Sequence, residues 1–171
     1  MDVRKLFEST TVDINHVARI VDEAAAKAEA IPQLSLEHPL NVEEAYAVQA
    51  ASIQRRLDRG ESRTGVKMGF TSKAKMIQMG VDDLIWGRLT DQMAIDDGGE
   101  VDYGSLIHPR VEPEIAFLLK QDLPCRVTMA ESIQAVEAVA VAMEVIDSRY
   151  EDFKFSLPDV VADNTSASRY V

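Results

Sequence analysis

The chain has 171 residues, 46% of them hydrophobic, and a formal charge of −11 from 29 acidic and 18 basic side chains. With a mean hydropathy of −0.11 it carries enough apolar material for one ordinary domain with a core, which excludes a disordered chain. So acidic a surface repels nucleic acid and anionic membranes, leaving small molecules and other proteins as partners.

No run reaches transmembrane length, Met1-Asp2-Val3-Arg4-Lys5 lacks the apolar stretch of a signal peptide, and one cysteine, Cys125, allows no internal disulfide. The expected location is the cytoplasm. No histidine stands near Cys125 in sequence, so it reads as an inert loop thiol.

From 13 to 30 the chain is alanine-rich, and Ile14, Val17, Ile20, Val21 and Ala24 fall on one helical stripe that Pro32 ends. Asn41 followed by Glu44 is a capping-box signature for a second helix, with Ala45, Val48, Ile53 and Leu57 along its apolar side and Gly60 as terminator. Residues 64–71 predict a strand, and Ser72 caps a short helix that reaches Met79 and closes at Gly80. The middle is loop-rich, with a turn at Asp96-Asp97-Gly98-Gly99 and a short strand over 100–103. A long strand covers about 111–120. Thr128 and Glu131 form another capping box, for a helix to about Glu137 that leads into an apolar strand over 138–146, and 160–171 reads as extended.

Neither an internal repeat nor a Gly/Ser linker divides the chain, and its glycines match no dinucleotide or Walker spacing. The expectation is a single α+β domain over 1–171, helical over 1–62 and strand-rich over 63–171.

Three acids stand out. Glu112 and Glu114 sit in an apolar segment where a period of two sends both side chains out of one face, and Glu144 interrupts the apolar run 138–146. An ionised carboxylate buried there is costly unless paired or bound to metal, and three together repel. A hard divalent cation relieves both problems. All-oxygen ligation with no nearby histidine pair or cysteine cluster favours Mg²⁺, or Mn²⁺, over Zn²⁺, and leaves positions for substrate oxygens. The alternative has Glu112 and Glu114 on the solvated face of an edge strand marked by Pro113, and Glu144 paired with Arg110 or Arg149.

Lys67, flanked by Val66 and Met68 between two glycines, is either a partly desolvated amine aimed at an anionic substrate or a lysine reaching to water. Arg110 and Arg149 are each a structural counter-ion or a substrate clamp. His108 reads as a loop-fixing histidine, Trp86 as a pocket wall or simple core, and Ser166 as a hydroxyl for a carboxylate or part of a turn.

The segments Gly65-Val66-Lys67-Met68-Gly69-Phe70-Thr71-Ser72, His108-Pro109-Arg110-Val111-Glu112-Pro113-Glu114, Glu144-Val145-Ile146-Asp147-Ser148-Arg149-Tyr150 and Val161-Ala162-Asp163-Asn164 occur in an order that resembles the hydratase/decarboxylase branch of the fumarylacetoacetate hydrolase-like family. The resemblance implies an N-terminal helical part followed by a mixed β-sheet roll with the site inside it. It implies that Glu112, Glu114 and Glu144 hold Mg²⁺ or Mn²⁺, that Lys67 is catalytic, and that Ile85, Trp86, Arg149 and Ser166 serve the substrate. An aliphatic residue at Ile85 and the stretch 146–155 favour the decarboxylase version, which implies metal-dependent loss of CO₂ from 2-oxohex-3-enedioate, a small anionic 2-oxo acid of aromatic meta-cleavage catabolism. A 2-hydroxypenta-2,4-dienoate hydratase is the alternative. Family members continue well beyond Val171, so an incomplete, C-terminally truncated roll is expected. The implied partners are further copies of the chain and the pathway hydratase, and a truncated non-catalytic subunit is the remaining alternative.

Overall fold

The computed structural model describes residues 12–79 and 84–171; the N-terminal Met1–Lys5 segment and the expected terminator Gly80 lie outside them. Helix α1 (Ile14–Lys27) starts where the Asp13 side chain accepts from His16 N, and it ends at Ala28 in a left-handed conformation. Helix α2 (Val42–Asp58) begins with the expected capping box, Asn41 and Glu44 each accepting the other's backbone N–H. The two helices pack through Val17, Val21, Ala45 and Val48, and the Asp22 carboxylate joins them by accepting from both Arg55 and Arg59 at 2.7 Å.

Strand β1 (Arg63–Gly69) pairs antiparallel with β2 (Ile85–Thr90), and helix α3 (Lys73–Met79) lies between them in sequence. The second sheet has the order β3 (Arg110–Leu119), β4 (Val136–Ile146), β5 (Ala167–Tyr170), every neighbour antiparallel, with helix α4 (Met129–Ala135) before β4 and helix α5 (Leu157–Ala162) before β5. Two isolated parallel bridges, Ile31 to Tyr150 and Ala94 to Tyr170, make the β-pairing mixed.

Three elements differ from the sequence expectation. Strand β2 was not expected, because Gly87 and Arg88 interrupt its apolar residues; its pairing with β1, Met68 opposite Trp86, forms it. Residues 100–103 make no strand, since the Asp102 side chain accepts from Gly104 N and closes a tight turn over Tyr103–Ser105. The segment from 160 is not extended throughout. Ser156 and Asp159 form a capping box with proline in the first turn, so Leu157–Ala162 is helical and only Ala167–Tyr170 is strand.

That short helix ties the layers together. Val160, Val161 and Ala162 of α5 join Val17, Val48 and Ile85 in one core, and the fully buried Gln49 of α2 donates to Trp86 O at 3.0 Å and Val161 O at 2.9 Å. A buried amide that satisfies two strand and helix carbonyls fixes β2 and α5 against the helical layer. By contrast, the outward face of the β3–β4 hairpin is open: Val111, Ile115, Phe117, Val139, Val141 and Met143 are each more than half exposed. No described helix is long and apolar enough to cross a membrane.

The fully buried Asp159 receives four hydrogen bonds, from Ser35 N and Oγ at 2.8 Å and from Ser156 N at 2.8 Å and Oγ at 2.6 Å. Asp159→Ala strands those donors and removes the α5 cap, so unfolding free energy in urea should fall by about 2–4 kcal/mol. An unchanged urea midpoint would contradict this role.

Candidate metal centre

The antiparallel register of β3 and β4 sets Glu112 directly opposite Glu144 and Glu114 opposite Ala142. Alternation puts Glu112 and Glu114 on one face of β3, and an oxygen of each of Glu112, Glu114 and Glu144 lies within 4.8 Å of the others. Glu144 is 5% exposed, while the other two are half-buried. Ala142, opposite Glu114, and then Ala140 and Ala138 share this face of β4 with Glu144.

Lys67 reaches this cluster from the other sheet. Its Nζ is 3.0 Å from Glu144 Oε2 and donates to Thr165 O at 3.1 Å, and its side chain is almost fully buried. Burial holds the Glu144 carboxyl above its ordinary pKa; Lys67 pulls it down, and the charges of Glu112 and Glu114 push it up again. Glu144 Oε1, buried with no hydrogen-bond partner, is an acceptor suited to a cation.

A cavity of about 670 Å³ opens on the cluster, lined among others by Lys67, Ile85, Glu112, Glu114, Thr165 and Ser166. The last two belong to a run of three left-handed residues, Asn164, Thr165 and Ser166, with φ of 51°, 55° and 56°. Such a run is strained for non-glycine residues, most of all β-branched Thr165, and persists only if its surroundings dictate it. They do. The Asn164 amide donates to Arg88 O at 2.8 Å while its Oδ1 accepts from Arg88 N at 2.7 Å. A Cβ on Gly87 would collide with Asn164 O, and one on Gly69 would stand 2.8 Å from both Ile85 Cγ1 and Thr165 Cγ2, so two glycines permit the turn to approach the strands. The hydroxyls of Thr165 and Ser166 are buried without partners.

The structure thus brings Lys67, Ile85, Ser166, Glu112 and Glu114 together in the lining of one cavity, holds Glu144 just behind it against Lys67 and the other two glutamates, and sets Trp86 and Arg149 outside the lining. Trp86 neighbours Ile85 on β2, so alternation turns it away to stack on Tyr46 at 5.2 Å with Arg88 over its face. Arg149 is buried against Asp163, which its Nε and backbone N both contact, and donates to Ala167 O. It splints the 163–167 turn from inside. Burial lifts the Asp163 carboxyl to about 6 against the pull of Arg149. Thr165 escaped the sequence reading because its only signal is adjacency to Ser166; its exceptional backbone is a tertiary product. Arg110, which the sequence left level with Arg149, lines the cavity.

Three carboxylates and a lysine converging inside an α+β fold define a site of the kind that binds a divalent cation and an anionic ligand. No protein-family model matches the chain. The chain is 56% identical over 158 residues to a 4-oxalocrotonate decarboxylase of Pseudomonas sp, a match covering 92% of this chain and 62% of that protein. It is 39% identical over 161 residues to a 2-hydroxypent-2,4-dienoate hydratase of Pseudomonas putida, covering 92% and 72%. The structure of 4-oxalocrotonate decarboxylase from Pseudomonas putida G7, complexed with magnesium and adipate, superposes with a TM-score of 0.88 at 40% identity, over 92% of this chain and 60% of that one. The chain belongs to the hydratase/decarboxylase branch of the fumarylacetoacetate hydrolase-like family. It spans about three fifths of the length of the decarboxylases it matches.

Lys67→Met removes both the charge and the hydrogen bond by which Lys67 lowers the Glu144 carboxyl, so that carboxyl should rise further. A raised carboxyl holds its proton more tightly in the folded chain, so the folded chain loses stability as pH increases through that value. The variant should therefore be less stable than the parent by about 3 kcal/mol at neutral pH, with the deficit shrinking on acidification. Urea unfolding across pH, with carbon NMR of the Glu144 carboxyl, reads both effects; a pH-independent deficit would contradict them.

Proposed function

We propose that this chain carries the metal site of a decarboxylase acting on 2-oxohex-3-enedioate, releasing CO₂ and leaving 2-hydroxypenta-2,4-dienoate or its 2-oxopent-4-enoate tautomer. The observation that carries this reading is the clustering of Glu112, Glu114 and Glu144 with Lys67 beside a cavity that Glu112, Glu114 and Lys67 line, in a chain so similar to 4-oxalocrotonate decarboxylases. The donor set fits Mg²⁺ or Mn²⁺: it is all oxygen, and Glu144 Oε1 has an unused lone pair. When bound, such an ion supplies Lewis-acid stabilisation to the negative charge that develops on the substrate's 2-oxo oxygen.

The chain's own residues do the rest. Glu112, Glu114 and Glu144 would hold the ion, and the 2-oxo acid end of the substrate would lie against their face of the cavity. The C6 carboxylate is vinylogous to the C2 carbonyl, so breaking C5–C6 sends the electron pair through C3–C4 to the 2-oxo oxygen while CO₂ departs, and that oxygen then takes a proton from solvent to give the 2-hydroxydiene. The Lys67 ammonium, held between Glu144 and Thr165 O, offsets charge growing beside it. Ser166 offers a hydroxyl to a substrate oxygen, and Ile85, buried in the wall, keeps water and any general acid away from the reacting carbons. In this reading Trp86 and Arg149 support the substrate pocket from behind, through Tyr46 and through Asp163.

Residues 1–171 are proposed to act as one unit in the cytoplasm, with α5 uniting helices α1 and α2 with the strands. A second reading, a subunit that works in association with further copies or with a hydratase, is favoured by the exposed apolar face of the β3–β4 hairpin.

Calorimetric titration with Mg²⁺ should show one site that Glu144→Gln abolishes, and the parent chain with 2-oxohex-3-enedioate should release CO₂ that the variant does not. Mg²⁺ binding unaltered by Glu144→Gln removes the metal site. Hydration of 2-hydroxypenta-2,4-dienoate without CO₂ release assigns the hydratase reaction, and metal binding without turnover favours the associating subunit.

A further inference from the structure

The same face of β3 that carries Glu112 and Glu114 carries Arg110 one alternation earlier, about 7 Å along the strand and opposite Ile146 rather than Glu144. Three cationic side chains line the cavity, Lys67, Arg110 and Lys154. Lys67 is held by Glu144 and Lys154 by Asp152. Among the described residues the Arg110 guanidinium has no carboxylate partner; it lies instead over the Phe153 ring, 3.7 Å from its centroid. That ring is deliberately placed: Asp152 and Phe153 are both left-handed, with φ of 56° and 59°, and His108 packs on the ring at 5.1 Å. A stacked guanidinium loses less freedom on binding than a free one, and its edge still presents donors in a fork that matches a carboxylate.

We propose that Arg110, laid over Phe153 beside the acidic cluster, binds the second carboxylate of a 2-oxo dicarboxylate and sets the preference of the site for dicarboxylic over monocarboxylic 2-oxo acids. The inference rests on the reading that the 2-oxo acid end sits at the glutamates. In a six-carbon diacid the carboxyl carbons are about 6 Å apart when extended, so a ligand anchored at Glu112 ends near the residue one alternation away. Arg149 cannot do this task, being spent on Asp163.

Affinities of 2-oxoadipate and 2-oxohexanoate, measured by calorimetry on the full chain with Mg²⁺, isolate the second carboxylate because the two acids share the 2-oxo end. The parent chain should prefer 2-oxoadipate by about tenfold or more. Arg110→Gln should abolish that preference by weakening 2-oxoadipate alone, with Mg²⁺ and 2-oxohexanoate affinities unchanged. Arg110→Lys should restore part of it, and Phe153→Leu should reduce it while the guanidinium remains. No preference in the parent, including no binding of either acid, overturns the proposal. So does a preference that survives Arg110→Gln, or an equal loss for both acids, which would place Arg110 at the shared end or in the fold. CO₂ release is scored separately: its absence with the preference intact strikes only the decarboxylase reading, and its presence without the preference strikes only this one.

Discussion

Glu112 faces Glu144 across the β3–β4 ladder, and this placement of like charges directly opposite each other is the constraint on which the site depends. Such a pair destabilises a sheet, and Glu114 adds a third charge within 4.8 Å. Lys67 offsets one of the three, leaving two in excess beside a cavity. A surface acid would relax into water, but Glu144 is enclosed, with one oxygen unpartnered. The cluster therefore has the charge, ligand type and enclosure that a hard divalent ion satisfies.

The rest of the molecule holds that arrangement. Lys67 arrives on β1, the glutamates on β3 and β4, and the hydroxyls of Thr165 and Ser166 on a strained turn, so three parts of the chain must be fixed relative to one another. Gln49 locks β2 and α5 to the helical layer, Asn164 locks the turn to β2, and Arg149 locks it from behind. These buried polar contacts act as splints whose value is geometric. Arg149, five residues after Glu144, is part of the scaffold, whereas Arg110, two residues before Glu112, faces the cavity.

Local signals were read well from the residues alone. Both capping boxes, at Asn41 and Thr128, and the period-two placement of Glu112 and Glu114 are short-range chemistry, and each is where the spacing puts it. What escaped is what tertiary pairing decides. Strand β2 has too broken a pattern to declare itself, and α5 hides behind a capping box that uses aspartate in place of glutamate. The turn at 164–166 has no glycine to announce its left-handed backbone. Trp86 and Ile85 look equivalent in sequence until the strand alternation separates them. That Lys67 belongs with the glutamates came from family resemblance, and its ion pair with Glu144 across two sheets, in place of the pairing with Arg110 or Arg149 that the residues suggested, follows from no spacing.

The β3–β4 hairpin presents two unlike faces, one carrying the three acids and a row of alanines on β4, the other carrying Val111, Ile115, Phe117, Val139, Val141 and Met143, all exposed. The described residues bring the acidic cluster and this exposed apolar face together on one pair of strands. Anomalous diffraction at the manganese edge, from crystals of this chain grown with Mn²⁺, tests most directly whether the cluster is a metal site. One peak touching an oxygen from each of Glu112, Glu114 and Glu144 is the expected result. No peak there, or one bound elsewhere while the three carboxylates turn apart, would contradict it.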